Sequence, residues 1–226
     1  MKKLLFLSLA LLICSALLAQ GSGNTVNKHS FLAFHAGPSF PVGAFGSNNP
    51  GNDDAGLAKT GYTIAMNYGY RLNSPLGLEA AVFYNHFGTQ KMVLTVDVGD
   101  GTRTIDMTLD DWHLYGISVG PSLEFSLAKK MSAGLHVMGG VANVRLPAFY
   151  FDGEDATKAD WGIGPVVQAG LNLKIDAGKQ VFFFVNGDYQ FMRPVFNVLD
   201  LWTDESEKAY QKISVLQASA GIGFRF

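Results

Sequence analysis

Tyr62-Thr63-Ile64-Ala65-Met66-Asn67-Tyr68-Gly69-Tyr70-Arg71-Leu72 alternates without a break: the even positions are large and apolar, while the odd ones are Thr, Ala, Asn, Gly and Arg. Successive side chains of an extended strand point to opposite faces, so this period marks a strand with two chemically distinct sides. The character of the faces matters more than the period. Small polar residues suit a crowded interior, and the large uncharged face suits hydrocarbon. A soluble barrel reverses this arrangement, with an apolar interior and Lys and Glu outside.

Working outward, the same signal recurs. Leu78, Ala80, Val82 and Tyr84 oppose Glu79, Ala81, Phe83 and Asn85. His113, Tyr115, Ile117, Val119, Leu123 and Phe125 oppose Leu114, Gly116, Ser118, Gly120, Ser122 and Glu124. Trp161, Ile163, Val167, Ala169, Leu171 and Leu173 oppose Gly162, Gly164, Gln168, Gly170, Asn172 and Lys174. Ser30 to Phe40, Ser132 to Leu146, Val181 to Met192 and Ile213 to Phe226 complete eight strands. Tight turns at Asn73-Ser74-Pro75, Ala128-Lys129-Lys130 and Asp176-Ala177-Gly178-Lys179 alternate with four long polar connections. An even strand count, with short turns at one end and long loops at the other, is the plan of a bacterial outer-membrane barrel. Closure also satisfies every backbone N–H and C=O, which hydrocarbon would leave unpaired. The expected fold is therefore all-β: an eight-stranded antiparallel up-and-down transmembrane β-barrel, with both termini periplasmic.

Composition agrees. Of 226 residues, 48% are apolar and 16% charged, against about 25% charged in a typical soluble domain. A formal charge of −2 gives no basic footprint for nucleic acid, and one cysteine excludes a disulfide scaffold. At the N-terminus, Lys2 and Lys3 precede an apolar run from Leu4 to Leu18 and the small residue Ala19. This pattern is that of a secretory signal peptide, and the run is shorter than the ~20 residues of a spanning helix. A lipoprotein signal on Cys14 is disfavoured by Ile13 and by the apolar run continuing past the cysteine. Residues 1–19 are thus expected to be a cleaved signal peptide, 20–29 a short periplasmic segment and 30–226 the barrel. Export to the outer membrane of a Gram-negative bacterium follows.

Arg71, Glu79, Glu124, Lys174 and Arg225 are inward charges near the short-turn end. Eight strands leave little free lumen, and unpaired buried charges are costly, so an ion-pair network closing the barrel floor is expected rather than a charge-selective pore.

The last strand, Leu216 to Phe226, carries apolar residues at alternate positions and ends in Phe224-Arg225-Phe226. It resembles the C-terminal β-signal read by the barrel-assembly machinery, with Phe224 and Phe226 as the assembly signal. His35 to Gly43 and Ala55 to Tyr62 are similar to segments of the outer-membrane-protein β-barrel domain family, which includes PorT-like proteins and resembles the OmpA, OmpX and OmpW small barrels. The resemblance implies a barrel in contact with outer-membrane lipid and lipopolysaccharide, and carries over no catalytic residue.

The residue types that could carry chemistry lie among the inward polar positions. His136 with Asp188 and Ser118 or Ser219 has the residue types of an acyl-transfer constellation, and a lumen hydrogen-bonding network accounts equally for them. The His-x-Ser pattern of lipid A deacylase barrels and the acidic and Asp-His elements of omptin proteases are absent. Acidic and amide residues in the first loop (Asn48, Asn49, Asn52, Asp53, Asp54) and last loop (Asp200, Asp204, Glu205, Glu207) lack a calcium-loop pattern. No catalytic residue, cofactor or metal is expected. The second loop keeps alternating through Leu94, Val96, Val98, Ile105, Met107 and Leu109. Leu78 to Val98 is about twice the ~9–11 residues that span a membrane, which predicts a hairpin that either stands clear of the bilayer, offering an edge for strand addition by a surface protein partner, or folds over the barrel mouth. The functional expectation is a non-enzymatic barrel with a structural or surface-interaction role. The alternative is a narrow OmpW-like channel or pocket for small solutes, lined by Phe83, Phe87, Phe182 and Phe184.

Overall fold

The computed structural model describes residues 29–49, 52, 54–97, 102–151, 154–155, 160–199 and 206–226. The segment read as a signal peptide, 1–19, and residues 20–28 of the segment after it lie outside the described residues, as do Val98, Asp53, Asp200, Asp204 and Glu205.

Eight antiparallel strands form the barrel: β1 (Ser30–Val42), β2 (Ala58–Asn73), β3 (Leu76–Thr89), β4 (Trp112–Ala128), β5 (Met131–Leu146), β6 (Asp160–Asp176), β7 (Val181–Met192) and β8 (Ile213–Arg225). Each pairs with its neighbours in chain order, and β1 closes onto β8 with Phe31 opposite Arg225 and Val42 opposite Ser214. At 12 to 17 residues the strands exceed the ~9–11 that a tilted strand needs to cross a bilayer, so their ends project beyond it.

The two faces divide as the alternation demands. Along β6 the outward line is Trp161, Ile163, Pro165, Val167, Ala169, Leu171, Leu173 and Ile175, with no charge. Ile163 is 65% and Leu171 62% exposed, values that would mark an aggregation surface in water and are ordinary against lipid. The inward line contains Gly162, Gly164, Gln168, Gly170, Asn172 and Lys174. Glycines on this face make room for rings: a Cβ at Gly69, Gly116 or Gly223 would lie 2.0–2.2 Å from Phe31, Phe83 or Phe182. Large and small residues therefore interdigitate across a narrow lumen.

The long connections build structure of their own. Met92–Asp97, Thr102–Leu109, Phe149–Phe151 and Glu154–Asp155 form a separate four-stranded sheet. Val195–Leu199 and Ser206–Tyr210 form a hairpin joined to β6 at Ile163 opposite Val195. This corrects the expectation that β3 runs on into the second-loop hairpin. The ladder ends at Thr89, because Gln90 turns to the first loop, its N–H donating to Leu57 O at 2.7 Å and its side chain to Gly46 O at 3.4 Å. The hairpin's second strand is covered at Met107 to Leu109 by Phe151 to Phe149, so among the described residues Met92–Asp97 is an edge of the sheet along its whole length.

Candidate functional site

The interior is filled in three layers. At the short-turn end, Glu124 holds two cations: Arg71 Nη2 lies 2.5 Å from Oε1 and Lys174 Nζ 2.7 Å from Oε2. Ser132 also donates to Oε1 at 3.2 Å. Arg225 pairs with Asp176. Two of these cations rest on rings, Lys174 3.9 Å from the Phe31 centroid and Arg225 4.7 Å from that of Phe182, where the π face offsets part of the lost hydration. The sequence grouped Arg71, Glu79, Glu124, Lys174 and Arg225; the first, third and fourth meet on one carboxylate, while Arg225 takes Asp176, a residue that grouping missed. Glu79 stands apart and belongs to the layer above.

That middle layer is polar and buried. Asn67 donates through Nδ2 to Glu79 Oε1 at 2.6 Å, which turns its carbonyl oxygen toward His35 Nε2 at 3.1 Å. An amide oxygen only accepts, so Nε2 carries the proton and Nδ1 accepts from Ser219 Oγ at 2.8 Å. Beside this chain, His136 Nε2 donates to Asp188 Oδ1 at 2.8 Å, and Asn186 donates to the other carboxylate oxygen. Ser118 bonds Gln168 at 3.4 Å instead of a histidine. The serine beside a histidine is thus Ser219, on His35 rather than His136. Ser219 is 5% exposed, and acyl transfer needs space for a reacting carbonyl next to the hydroxyl.

Toward the loops, Asn85 donates to Gln190 at 2.7 Å and Gln217 to Asn85 at 3.1 Å. Above them the interior turns apolar. A single 3₁₀ turn, Gly43–Gly46, inserts Phe45 between Phe87 and Trp112, each edge-on with centroids 5.3 Å apart. Gly43, at φ 63°, makes the reversal that β1 needs to enter this turn. Trp112 Nε1 donates to Gly56 O at 2.9 Å, fixing the ring. Phe83, Leu114, Val144, Val166, Met192, Phe196, Ile213 and Val215 complete the stopper. Of the four lumen aromatics, Phe83 and Phe87 belong to it, whereas Phe182 and Phe184 pack at the other end with Phe31 and His35. Among the described residues no three His, Cys, Asp or Glu side chains stand together as a metal site.

Of the other residues singled out in sequence, Phe224 faces lipid at 44% exposed and Phe226 bonds Ser30 through its backbone. Leu94, Val96, Ile105, Met107 and Leu109 lie on the paired strands of the second-loop hairpin.

No family model and no curated protein matches the sequence. Solved structures do. Neisserial surface protein A superimposes with a TM-score of 0.53 at 13% identity, over 87% of this chain and 97% of that one. The chain has the fold of the small outer-membrane β-barrels. OprG from Pseudomonas aeruginosa (TM-score 0.49, 13% identity, 88% of this chain and 96% of that one) and Ail, the attachment invasion locus protein of Yersinia pestis (0.47, 16%, 88% and 99%), are also similar. With this fold and an uncharged apolar belt, the protein is an integral barrel of the Gram-negative outer membrane.

Proposed function

We propose that this small outer-membrane barrel is sealed and non-enzymatic, and that it acts through the surfaces it presents, in a structural or surface-interaction role. The observation that carries this reading is the filled interior: the Glu124 ion pairs at one end, the Phe45 stopper at the other and several buried groups of hydrogen-bonded polar side chains between them. The ion pairs act as a floor. Lys174 and Glu124, 6% and 17% exposed at their side chains, would be costly to leave unpaired, so they hold β4 and β6 in fixed relation. Planar-bilayer recording of the refolded protein tests the seal: a flat baseline is expected, and reproducible single-channel steps would favour the narrow channel instead. A lipid A profile unchanged by expression is the matching expectation for an absence of enzymatic activity on that lipid.

The interaction surface is the loop end, which meets lipopolysaccharide and any surface partner. The uncovered edge at Met92–Asp97 offers backbone groups for strand addition. Deleting Val93 to Thr108 is expected to abolish partner capture while leaving the barrel folded; unchanged capture would remove the hairpin from the account. Phe224 and Phe226 serve as the signal for the barrel-assembly machinery. Their substitution by Ala should lower the amount reaching the outer membrane without lowering the yield of refolding in detergent.

A further inference from the structure

The ion-pair floor has an outer side. Beneath Glu124 lies a recess of about 240 Å³, whose walls include Arg71, Ser74, Ser126, Lys129 and Arg225 with the carboxylates of Glu124 and Asp176. Arg71, Glu124, Ser126, Asp176 and Arg225 stand on the inward parity of their strands. The recess therefore faces along the barrel axis and away from lipid. In a barrel with short periplasmic turns, what enters it comes from periplasmic water.

Its charge is unbalanced. Lys174 stands directly behind Glu124, with Nζ 2.7 Å from Oε2. With Arg71, Lys129 and Arg225 it makes four cations in and behind the walls, against two carboxylates. Both carboxylates are engaged, Glu124 by Arg71 and Lys174 and Asp176 by Arg225. Each guanidinium commits one nitrogen to its carboxylate, Nη2 in Arg71 and Nη1 in Arg225, out of five N–H donors in a planar fork. The same pairs hold both side chains in place, and Arg225 also rests 4.7 Å from the Phe182 ring centroid. Less side-chain freedom is then lost when a ligand binds. Lys129 and the hydroxyl groups of Ser74 and Ser126 are exposed around the opening.

We infer that this recess is a periplasmic site for a soluble phosphoryl group, free phosphate or a phosphate monoester. Such a group carries up to two negative charges and three strong acceptor oxygens, which match the excess of two cations and the two arginine forks. A monocarboxylate supplies one charge and two oxygens, and leaves half of the excess unmet. The site is on the periplasmic side of the floor, so filling it leaves the lumen closed.

Isothermal titration calorimetry of the full chain, refolded in zwitterionic micelles, tests the site with inorganic phosphate as titrant and acetate as reference. A hydrogen bond to a charged group is worth about ten-fold or more in affinity. Phosphate should therefore bind at least about ten-fold tighter than acetate, and Arg71→Gln should weaken it by about ten-fold. Lys129→Gln, at the solvated rim, should weaken it by about two- to five-fold, and less as salt is raised. Arg71→Lys keeps the charge without the fork and should fall between Arg71→Gln and the native chain. Lys59→Gln at the loop end should change nothing, and every variant should keep the heat-dependent gel shift of a folded barrel. Glycerol 3-phosphate in water should displace phosphate, whereas phosphatidic acid in the micelle should not, because its headgroup stays at the lipid-facing wall. Equal binding of phosphate and acetate, or phosphate binding that survives Arg71→Gln and Lys129→Gln, would overturn the site. Displacement by phosphatidic acid would overturn its assignment to a soluble ligand.

Discussion

A methyl group placed at Gly170 should break the centre of the lumen. A Cβ built there lies 1.8 Å from Asp188 Oδ1 and 2.8 Å from His136 Cε1 and Nε2. The carboxylate cannot simply step aside, because one oxygen holds His136 at 2.8 Å and the other accepts from Asn186. His136 and Asp188 are essentially without solvent contact, at 0% and 1% side-chain exposure. Gly170→Ala therefore forces apart a buried histidine–carboxylate hydrogen bond; leaving a buried partner unsatisfied costs about 1–3 kcal/mol, and more where a carboxylate is involved, which places the expectation at about 3. Gly139 is the matched control, since a Cβ there meets nothing within 4 Å. Gly139→Ala should stabilise by about 0.5–1 kcal/mol, the usual gain on replacing a mid-strand glycine. Urea unfolding of the refolded protein in detergent micelles measures both. Asp188→Ala supplies the decisive background: with the carboxylate gone, the cost of Gly170→Ala should fall by at least about 2 kcal/mol, within the range of couplings between touching residues. Equal costs in both backgrounds, or indistinguishable effects at Gly139 and Gly170, would refute the reasoning.

Glu124→Gln should destabilise by about 3 kcal/mol, because it strands Lys174 at 6% side-chain exposure, whereas Arg71→Gln at 44% should cost under about 1 kcal/mol; the same unfolding assay checks the contrast. Phe45→Ala removes a fully buried ring and should cost about 3 kcal/mol, yet bilayer recordings should stay silent because the Asn85, Gln190 and Gln217 layer lies beneath. Trp112→Phe keeps the ring packing but leaves Gly56 O without its donor, an expected loss of about 1–2 kcal/mol in unfolding free energy.

The barrel was legible because period-two alternation reports a property of each residue alone, namely which solvent its face meets. Tyr62 to Leu72 needed no partner to be read, and the sides assigned to Phe83, His136, Asp188 and Ser219 follow from the same parity. What could not be read depends on stagger between strands. Closing a barrel shears neighbouring strands, so which inward residues share a level is absent from any single strand. Glu79 and Arg71 flank the same turn, yet Glu79 bonds Asn67 while Arg71 reaches Glu124 on β4. Asp176 entered the floor for the same reason. Phe45 was missed because nothing in Gly43-Ala44-Phe45-Gly46 says that the turn folds inward; that depends on the space left by Phe87 and Trp112. The loop sheet escaped because Thr102–Leu109 pairs with Phe149–Phe151 across a barrel hairpin, a contact with no local signature. Its strands alternate, but alternation does not name the neighbour.

The sealed interior is tested most directly by thiol accessibility in lipid vesicles. In a Cys14→Ala background, Ser118→Cys places a near-isosteric thiol at a lumen position 4% exposed, and Lys129→Cys places one on an open turn. With a small membrane-impermeant maleimide on both sides of the bilayer, Lys129→Cys should be modified within minutes. Ser118→Cys should stay unmodified until the protein is unfolded. Modification of Ser118→Cys in the folded barrel at a rate comparable to Lys129→Cys would mean a water-filled lumen, and the account of a closed barrel would be contradicted.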